Sequence, residues 1–397
     1  GPGKREGELR QAVAAGVLLH IESFREVELL ARLSAEMQLP ARVAVRVNPD
    51  FELRGAGMRM GGGAQVFGVD LEQVPALLAR IAQAGLQFEG FHVYAGSQVL
   101  KAELLADLIG RSLDMLLTLQ AVLPGPVRQV NLGGGWGIPY FPSEQPLDLA
   151  PVRAALLAAQ QRLHAQWPQA HLVVELGRFL VGEAGIYVAR VLERKVSRGE
   201  VFLVTDGGLH HHLAATGNFG QVLRRNYPVA LGNRLAESTV EQVSVVGPLC
   251  TPLDVLAHKV TLPTASEGDL IVIFQSGAYG ATASPQAFLG HPPCVEMLVG
   301  GGGHEPRCAV ACRCAGCGRA EPVGAGLWFD LHSSLAVAAL GPGGGGWGSP
   351  VGGTAVLGAD GSAGPAARGQ PEHLERLARD RRVRRAAAAD FGRGLRA

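Results

Sequence analysis

The sequence predicts an α/β protein in which a parallel sheet wrapped by helices fills about the first 185 residues and a mostly β domain follows. Three observations carry this. Short runs rich in Val, Ile and Phe alternate, up to Gly177, with longer stretches whose apolar residues recur three and four apart. The short runs are apolar nearly throughout, as strands are when crossover helices cover both faces. After about Gly185 the rhythm changes to β-rich segments separated by turns.

In order, GPGKREGELRQAVAAG runs from a loop-like start into a helical pattern. LLHIES, RVAVRVNP, FEGFHVYAGS, VRQVNLGGG and HLVVELG read as five strands. Between them SFREVELLARLSAEMQ, LEQVPALLARIAQAG, KAELLADLIGRSLDMLLTLQAVL and DLAPVRAALLAAQQRLHAQW read as amphipathic helices. IYVARVLERKV, VFLVTDGG, VEQVSVVGP and DLIVIFQSGAY supply the strands of a second domain over 186–299. From residue 300 to 397 roughly a fifth of the residues are Gly, against a usual ~7%. That composition predicts a disordered tail, and its abrupt onset also resembles a shifted reading frame.

Composition narrows the function. A net charge of +1 over 397 residues provides no basic face for a nucleic acid. No apolar run approaches the roughly 18 residues of a membrane span. Cys250 and Cys294 stand far apart in cysteine-poor sequence, the pattern of a reducing compartment, so a cytoplasmic location is expected.

Polar residues gather at the C-terminal ends of the strands: Glu22, Arg46 and Asn48, Ser97 and Gln98, Gly133 to Gly135, Glu175 and Arg178. An eight-stranded barrel carries its active site at that end, and so does an open doubly wound sheet. NLGGGWG places three glycines directly after a strand, where bare backbone N–H groups can cradle a phosphate or simply make a tight turn. Glu175 and Arg178 can serve different parts of one ligand, or form a surface ion pair of little worth. His92, Tyr94 and Ser97 share one strand end, where an isolated His92 reads best as a satisfied core histidine. Cys250 follows a Gly-Pro turn, and a lone cysteine is usually a small buried apolar residue. His210, His211 and His212 are adjacent and so point apart, a poor ligand set for one ion. Cys308, Cys312, Cys314 and Cys317 match no zinc spacing, and no metal is expected.

Taken in order, GPGK, RVNP, VFGVD, GFHVYAGSQ, NLGGGWG, ELGR, DGG, GPLC and GAY resemble the pyridoxal-phosphate decarboxylases of the alanine-racemase-like fold. That group includes the diaminopimelate, ornithine and arginine decarboxylases. The resemblance runs from Gly1 to about Val299. GFHVYAGSQ, with HHHLAATGNFGQ and GPLCTPLD, is most similar to the branch associated with exosortase and exopolysaccharide gene clusters. The resemblance implies a TIM-type (β/α)8 barrel followed by a β domain, with pyridoxal 5′-phosphate as cofactor and a small amino acid as substrate. It implies that Gly133, Gly134 and Gly135, with Ser97 and Arg178, hold the cofactor phosphate, that Tyr279 helps from the second domain, and that Gly177 also belongs to the cofactor-binding residues. Glu175 would face the pyridine nitrogen, and Tyr94 would stack on the ring where relatives often carry His. Cys250 would reprotonate the carbanion, reaching into the neighbouring subunit's barrel in a head-to-tail homodimer.

Two departures shape the expectation. Many diamine-forming relatives place an acid directly after the Cys, and here that residue is Thr251, which puts an ordinary lysine, ornithine or diaminopimelate substrate in doubt. The anchoring lysine of the family, in a motif like Tyr-Ala-x-Lys-Ala-Asn ahead of GPGK, has no counterpart; Lys4, Lys101, Lys195 and Lys259 stand elsewhere. A barrel of this kind takes about 250 residues, and five of eight strands are legible, so an N-terminally truncated, incomplete barrel without activity is expected. The alternatives are a non-catalytic decarboxylase-like regulator or partner subunit, and a racemase on the same fold, against which the GPLC segment speaks.

Overall fold

The computed structural model of the protein describes residues 1–52, 57–219, 221, 224–235 and 237–296. They form two compact units: Gly1–Gly137 with Pro146–Leu176, and Ile138–Gln145 with the chain from Gly177 on. The tail expected from residue 300, with its four cysteines, lies outside the described residues.

The first unit starts with helix α1 (Glu6–Ala14) and strand β1 (Leu19–Ile21), followed by α2 (Phe24–Met37) and β2 (Arg42–Asn48). Two short strands come next, β3 (Met58–Arg59) and β4 (Val69–Asp70), and then α3 (Val74–Gln83) leads to β5 (Gln87–His92) and β6 (Gly96–Ser97). Helix α4 (Ala102–Leu117), β7 (Gln129–Gly134), α5 (Leu149–Gln166) and β8 (His171–Glu175) complete it. The five strands read from the apolar runs are present, and all pair in parallel in the order β1-β2-β5-β7-β8. The sheet also has a sixth strand. β4 pairs with Val47 and Asn48 of β2, beyond the Val43–Val45 stretch that β1 occupies. Two residues are too few for periodicity to register, so the VFGVD segment gave no strand signal.

The helices bury the faces their spacing marked. Val27, Leu30 and Leu33 of α2 are fully buried, as are Val74, Leu77, Leu78 and Ile81 of α3. Each such side chain is worth about 1.5–3 kcal/mol removed from water. Ser23 caps α2, its hydroxyl accepting the Glu26 amide at 3.3 Å. The Glu26 carboxylate instead accepts the Glu22 amide at 2.8 Å and the Lys4 ammonium at 3.1 Å, which fixes the turn after β1. β8 departs from expectation: its residues are half-buried or exposed, so its apolar run is not covered on both faces by the described residues. Among the described residues the sheet stays open, with β1 and β8 at its ends.

The second unit holds α6 (Arg178–Val181), β9 (Tyr187–Ser197), β10 (Glu200–Thr205), β11 (Val229–Leu231), β12 (Val240–Val246), β13 (Val255–Pro263) and β14 (Leu270–Ile273). Its strands form one sheet in the order β11-β14-β9-β10-β12-β13. Tyr187, Val191, Leu203, Val243, Val245, Leu256, Ile271 and Ile273 form the core beneath it. β11 and β13 were not legible in the sequence. In β13 the His258-Lys259 pair interrupts the apolar alternation where the register with β12 shifts and Lys259 takes φ +48°. No helix among the described residues is long and apolar enough to cross a membrane.

Candidate active site

In the first unit the parallel register brings β1, β5, β7 and β8 to a common end of the sheet, with β2 between β1 and β5. His20, His92, Asn131 and Glu175 come from one strand each. His20 Nδ1 stands 3.1 Å from His92 Nδ1, and His92 Nε2 stands 3.4 Å from Glu175 Oε1. Asn131 Nδ2 donates to Glu175 Oε1 at 2.8 Å, while Asn131 Oδ1 accepts the Gly133 amide at 2.8 Å. One asparagine therefore holds both the carboxylate and the first residue of the glycine run.

The electrostatics make Glu175 a persistent anion. Burial alone would raise its carboxyl, but the His92 ring and the Asn131 amide beside it outweigh that and bring it down to about 2. His20 goes the other way for a base: burial first, then the His92 charge, lowers it to about 4, so it is neutral at physiological pH. His20, His92 and Glu175 form the one group among the described residues close enough together to hold a metal ion. His92, however, meets His20 through Nδ1 and Glu175 through Nε2, on opposite sides of its ring. The three are thus linked to one another through both ring nitrogens of His92.

The glycine run follows from packing. A Cβ on Gly134 would run into the Glu175 carbonyl, because β7 and β8 close up there. Gly133 and Gly135 take φ +69° and +81°, conformations that side chains resist. Tyr94 lies against Gly133, its ring edge-on to His92 at 6.5 Å between centroids. Ser97 is buried on β6.

In the second unit Arg178 opens α6 after Gly177. Its guanidinium donates to the Tyr140 hydroxyl at 2.9 Å and lies over the Tyr279 ring, 4.5 Å from the centroid. Its Nε is buried without a partner, and no carboxylate among the described residues pairs with it. The cation is thus sheltered by the Tyr140 and Tyr279 rings, with no acid beside it among the described residues. Tyr279 takes φ +57°, a costly conformation for a side chain and one that recurs at functional sites.

Cys250 is a free, exposed thiol on the turn after β12. Asp254 holds that turn: buried at 2% exposure, it accepts the Leu209 and Leu249 amides at 2.6 and 2.9 Å. The Thr251 hydroxyl accepts the Leu253 amide at 3.3 Å. The neighbouring histidines diverge. His211 meets the Tyr187 hydroxyl and the Pro292 carbonyl, His212 meets Ser276 and the Ala215 amide, and His210 is buried with neither nitrogen bonded.

The residues singled out in sequence thus fall into two groups, Tyr94, Ser97, Gly133, Gly134, Gly135 and Glu175 in the first unit and Gly177, Arg178, Cys250 and Tyr279 in the second. Sequence reasoning missed His20, Asn131, Tyr140 and Asp254. For His20 and Asn131 a signal was available, since each is a polar residue on a strand of otherwise apolar character.

Residues 1–182 match the family described as pyridoxal-dependent decarboxylase, pyridoxal binding domain. An L-glutamyl-[BtrI acyl-carrier protein] decarboxylase from Niallia circulans is 37% identical, over 77% of this chain and 72% of that protein. A diaminopimelate decarboxylase from Synechocystis is 32% identical, over 76% of this chain and 64% of that protein. Among solved structures, diaminopimelate decarboxylase from Helicobacter pylori complexed with L-lysine matches with a TM-score of 0.64 at 24% identity, covering 77% of this chain and 73% of that one, a likeness of fold.

Proposed function

The chain belongs to the pyridoxal-phosphate-dependent decarboxylases of the alanine-racemase-like fold, and from that membership we propose that it removes the α-carboxylate of an amino acid whose far end carries no free amine. Its cofactor is pyridoxal 5′-phosphate, which supplies the sink for the electron pair left when CO2 departs. Glu175 would keep the pyridine nitrogen protonated, a role suited to a carboxylate held down to about 2. Gly133, Gly134, Gly135, Ser97 and Gly177 would bind phosphate oxygens. Arg178, with Tyr279 against it, would supply the positive charge. Tyr94 would lie along the ring. The Cys250 thiol would deliver a proton to the α-carbon, in a homodimer where it serves the neighbouring subunit.

One observation carries the substrate class. Thr251 stands where an acid would meet a distal amine, and its hydroxyl is engaged with Leu253. The next carboxylate, Asp254, already accepts two backbone amides. The loop therefore offers no uncommitted carboxylate to an ammonium group. A substrate joined through its far end to a carrier, as the name of the Niallia relative describes for that protein, fits such a loop.

We further propose that the chain as given turns over slowly or not at all. Lys4 is engaged by Glu26 at 3.1 Å and Lys259 by Glu200 at 3.0 Å, and none of the four lysines lies in the anchoring motif. Both parts are tested with purified protein and pyridoxal phosphate. Borohydride reduction followed by peptide mapping should label no single lysine. Addition of an L-glutamyl-carrier protein should change the cofactor's absorbance at concentrations at least tenfold below those needed with L-lysine, L-ornithine or diaminopimelate. Equal responses to the diamino acids would overturn the substrate reading, and specific labelling of one lysine would overturn the second proposal.

A further inference from the structure

We infer that His20 is a positioning residue: through His92 it fixes a proton on the nitrogen that faces Glu175, and so keeps that carboxylate anionic and in place. The inference deepens the function proposed above and rests on it for the part played by Glu175.

Between two Nδ1 atoms 3.1 Å apart there is room for a single hydrogen. If His20 carries it, His92 Nδ1 accepts, and the proton of a neutral His92 ring must sit on Nε2. If His92 is doubly protonated, Nε2 again carries a hydrogen. The one remaining arrangement, a neutral His92 protonated on Nδ1, turns a bare Nε2 lone pair toward a carboxylate oxygen 3.4 Å away. Both favourable states therefore put a hydrogen on Nε2, the ring nitrogen 3.4 Å from the Glu175 carboxylate. Among the described residues His92 Nε2 is buried with no partner other than this contact, so none of them draws the hydrogen elsewhere.

The geometry also explains why a histidine is needed at position 20. Its ring lies against that of His92, with centroids 4.6 Å apart, and both sit on strands of one sheet. Without a group at Nδ1 the His92 ring could turn over and exchange Nδ1 for a carbon. Asn131 holds Glu175 from the other side at 2.8 Å, and the carboxylate is thus pinned between two donors. Neutral His20, the form its burial favours, has one hydrogen to give to this contact.

The experiment reads the proton directly. Nitrogen-15 spectra of the histidine rings, with His92 assigned by a His92→Gln comparison, should show Nε2 protonated in the wild-type apoprotein. In His20→Phe the same ring should populate both tautomers. His20→Asn, whose amide can reach the place of Nδ1, should restore the wild-type pattern. A His92 ring that keeps its Nε2 proton in the Phe variant overturns the proposal. Should that variant not fold, His20→Ser, too short to reach His92, carries the same expectation. Pyridoxal phosphate should bind about tenfold more weakly to the Phe variant than to wild type and recover in the Asn variant. A tautomer shift with unchanged cofactor affinity would leave the His20–His92 relay standing and remove Glu175 from the pyridine nitrogen.

Discussion

The carboxylate of Asp254 accepts the backbone amide of Leu249 at 2.9 Å, one residue before Cys250. Its other oxygen takes the Leu209 amide, so one buried side chain ties the cysteine turn to the segment after β10. Asp254→Asn keeps the shape but replaces one acceptor with an N–H that must confront another N–H. The loss should be about 1–3 kcal/mol, the cost of leaving buried polar groups unpaired. Urea unfolding measures it. Peptide-resolved iodoacetamide labelling should also show Cys250 reacting at a changed rate, whereas an unchanged stability and rate would show that Asp254 does not hold the turn.

Gly134→Ala tests how the glycine run is used. The added methyl would meet the Glu175 carbonyl across the β7–β8 pair, where the obstacle is backbone and cannot swing aside. Overpacking of this kind costs about 1–3 kcal/mol or more, and the shift of β8 should carry Glu175 with it. Thermal unfolding should show the loss even without cofactor. A variant that melts normally yet fails to bind pyridoxal phosphate would mean the glycine is kept for the ligand alone.

How much of this could be read beforehand depended on the range over which each feature is encoded. The five strands of the first sheet and their helices are written in local periodicity, and they stand where the pattern put them. The gathering of polar residues at strand ends was equally local. What was not local is which of them touch. His20 and His92 are 72 positions apart and meet across β2, the strand between theirs in the sheet, so their contact depends on two successive registers. The purpose of Gly134 likewise becomes visible only once β8 lies beside β7. β13 escaped because a bulge at Lys259 breaks the alternation that identifies a strand.

His212 gives the second unit a pH dependence. Its Nδ1 accepts the Ala215 amide at 3.3 Å and its Nε2 meets Ser276 Oγ at 2.9 Å, so the neutral ring is fully bonded and a second proton has no place. Burial lowers it from 6.5 to about 4. Over that window the unfolded chain binds the proton and the folded chain does not, so stability is complete above about pH 6.5 and falls as pH drops toward 4. The full loss should be roughly 3 kcal/mol. His212→Gln retains a donor toward Ser276 and cannot titrate. Its urea midpoint should fall less than that of wild type between pH 7 and pH 4.5; parallel curves would show that the proton is taken up elsewhere.

Arg178 separates charge from shape. Lysine at this position keeps the cation but loses the flat face that lies on Tyr279 and the fork that reaches the Tyr140 hydroxyl. If the guanidinium receives the cofactor phosphate, Arg178→Lys should weaken pyridoxal phosphate about tenfold and Arg178→Met about a hundredfold, roughly 1.4 and 2.7 kcal/mol. Titration followed by cofactor absorbance gives both numbers, and pyridoxal without its phosphate provides the control. Because no carboxylate among the described residues pairs with Arg178, the Met variant leaves no orphaned anion and should fold normally. Equal losses for pyridoxal and its phosphate would show that Arg178 shapes the site without binding the phosphate.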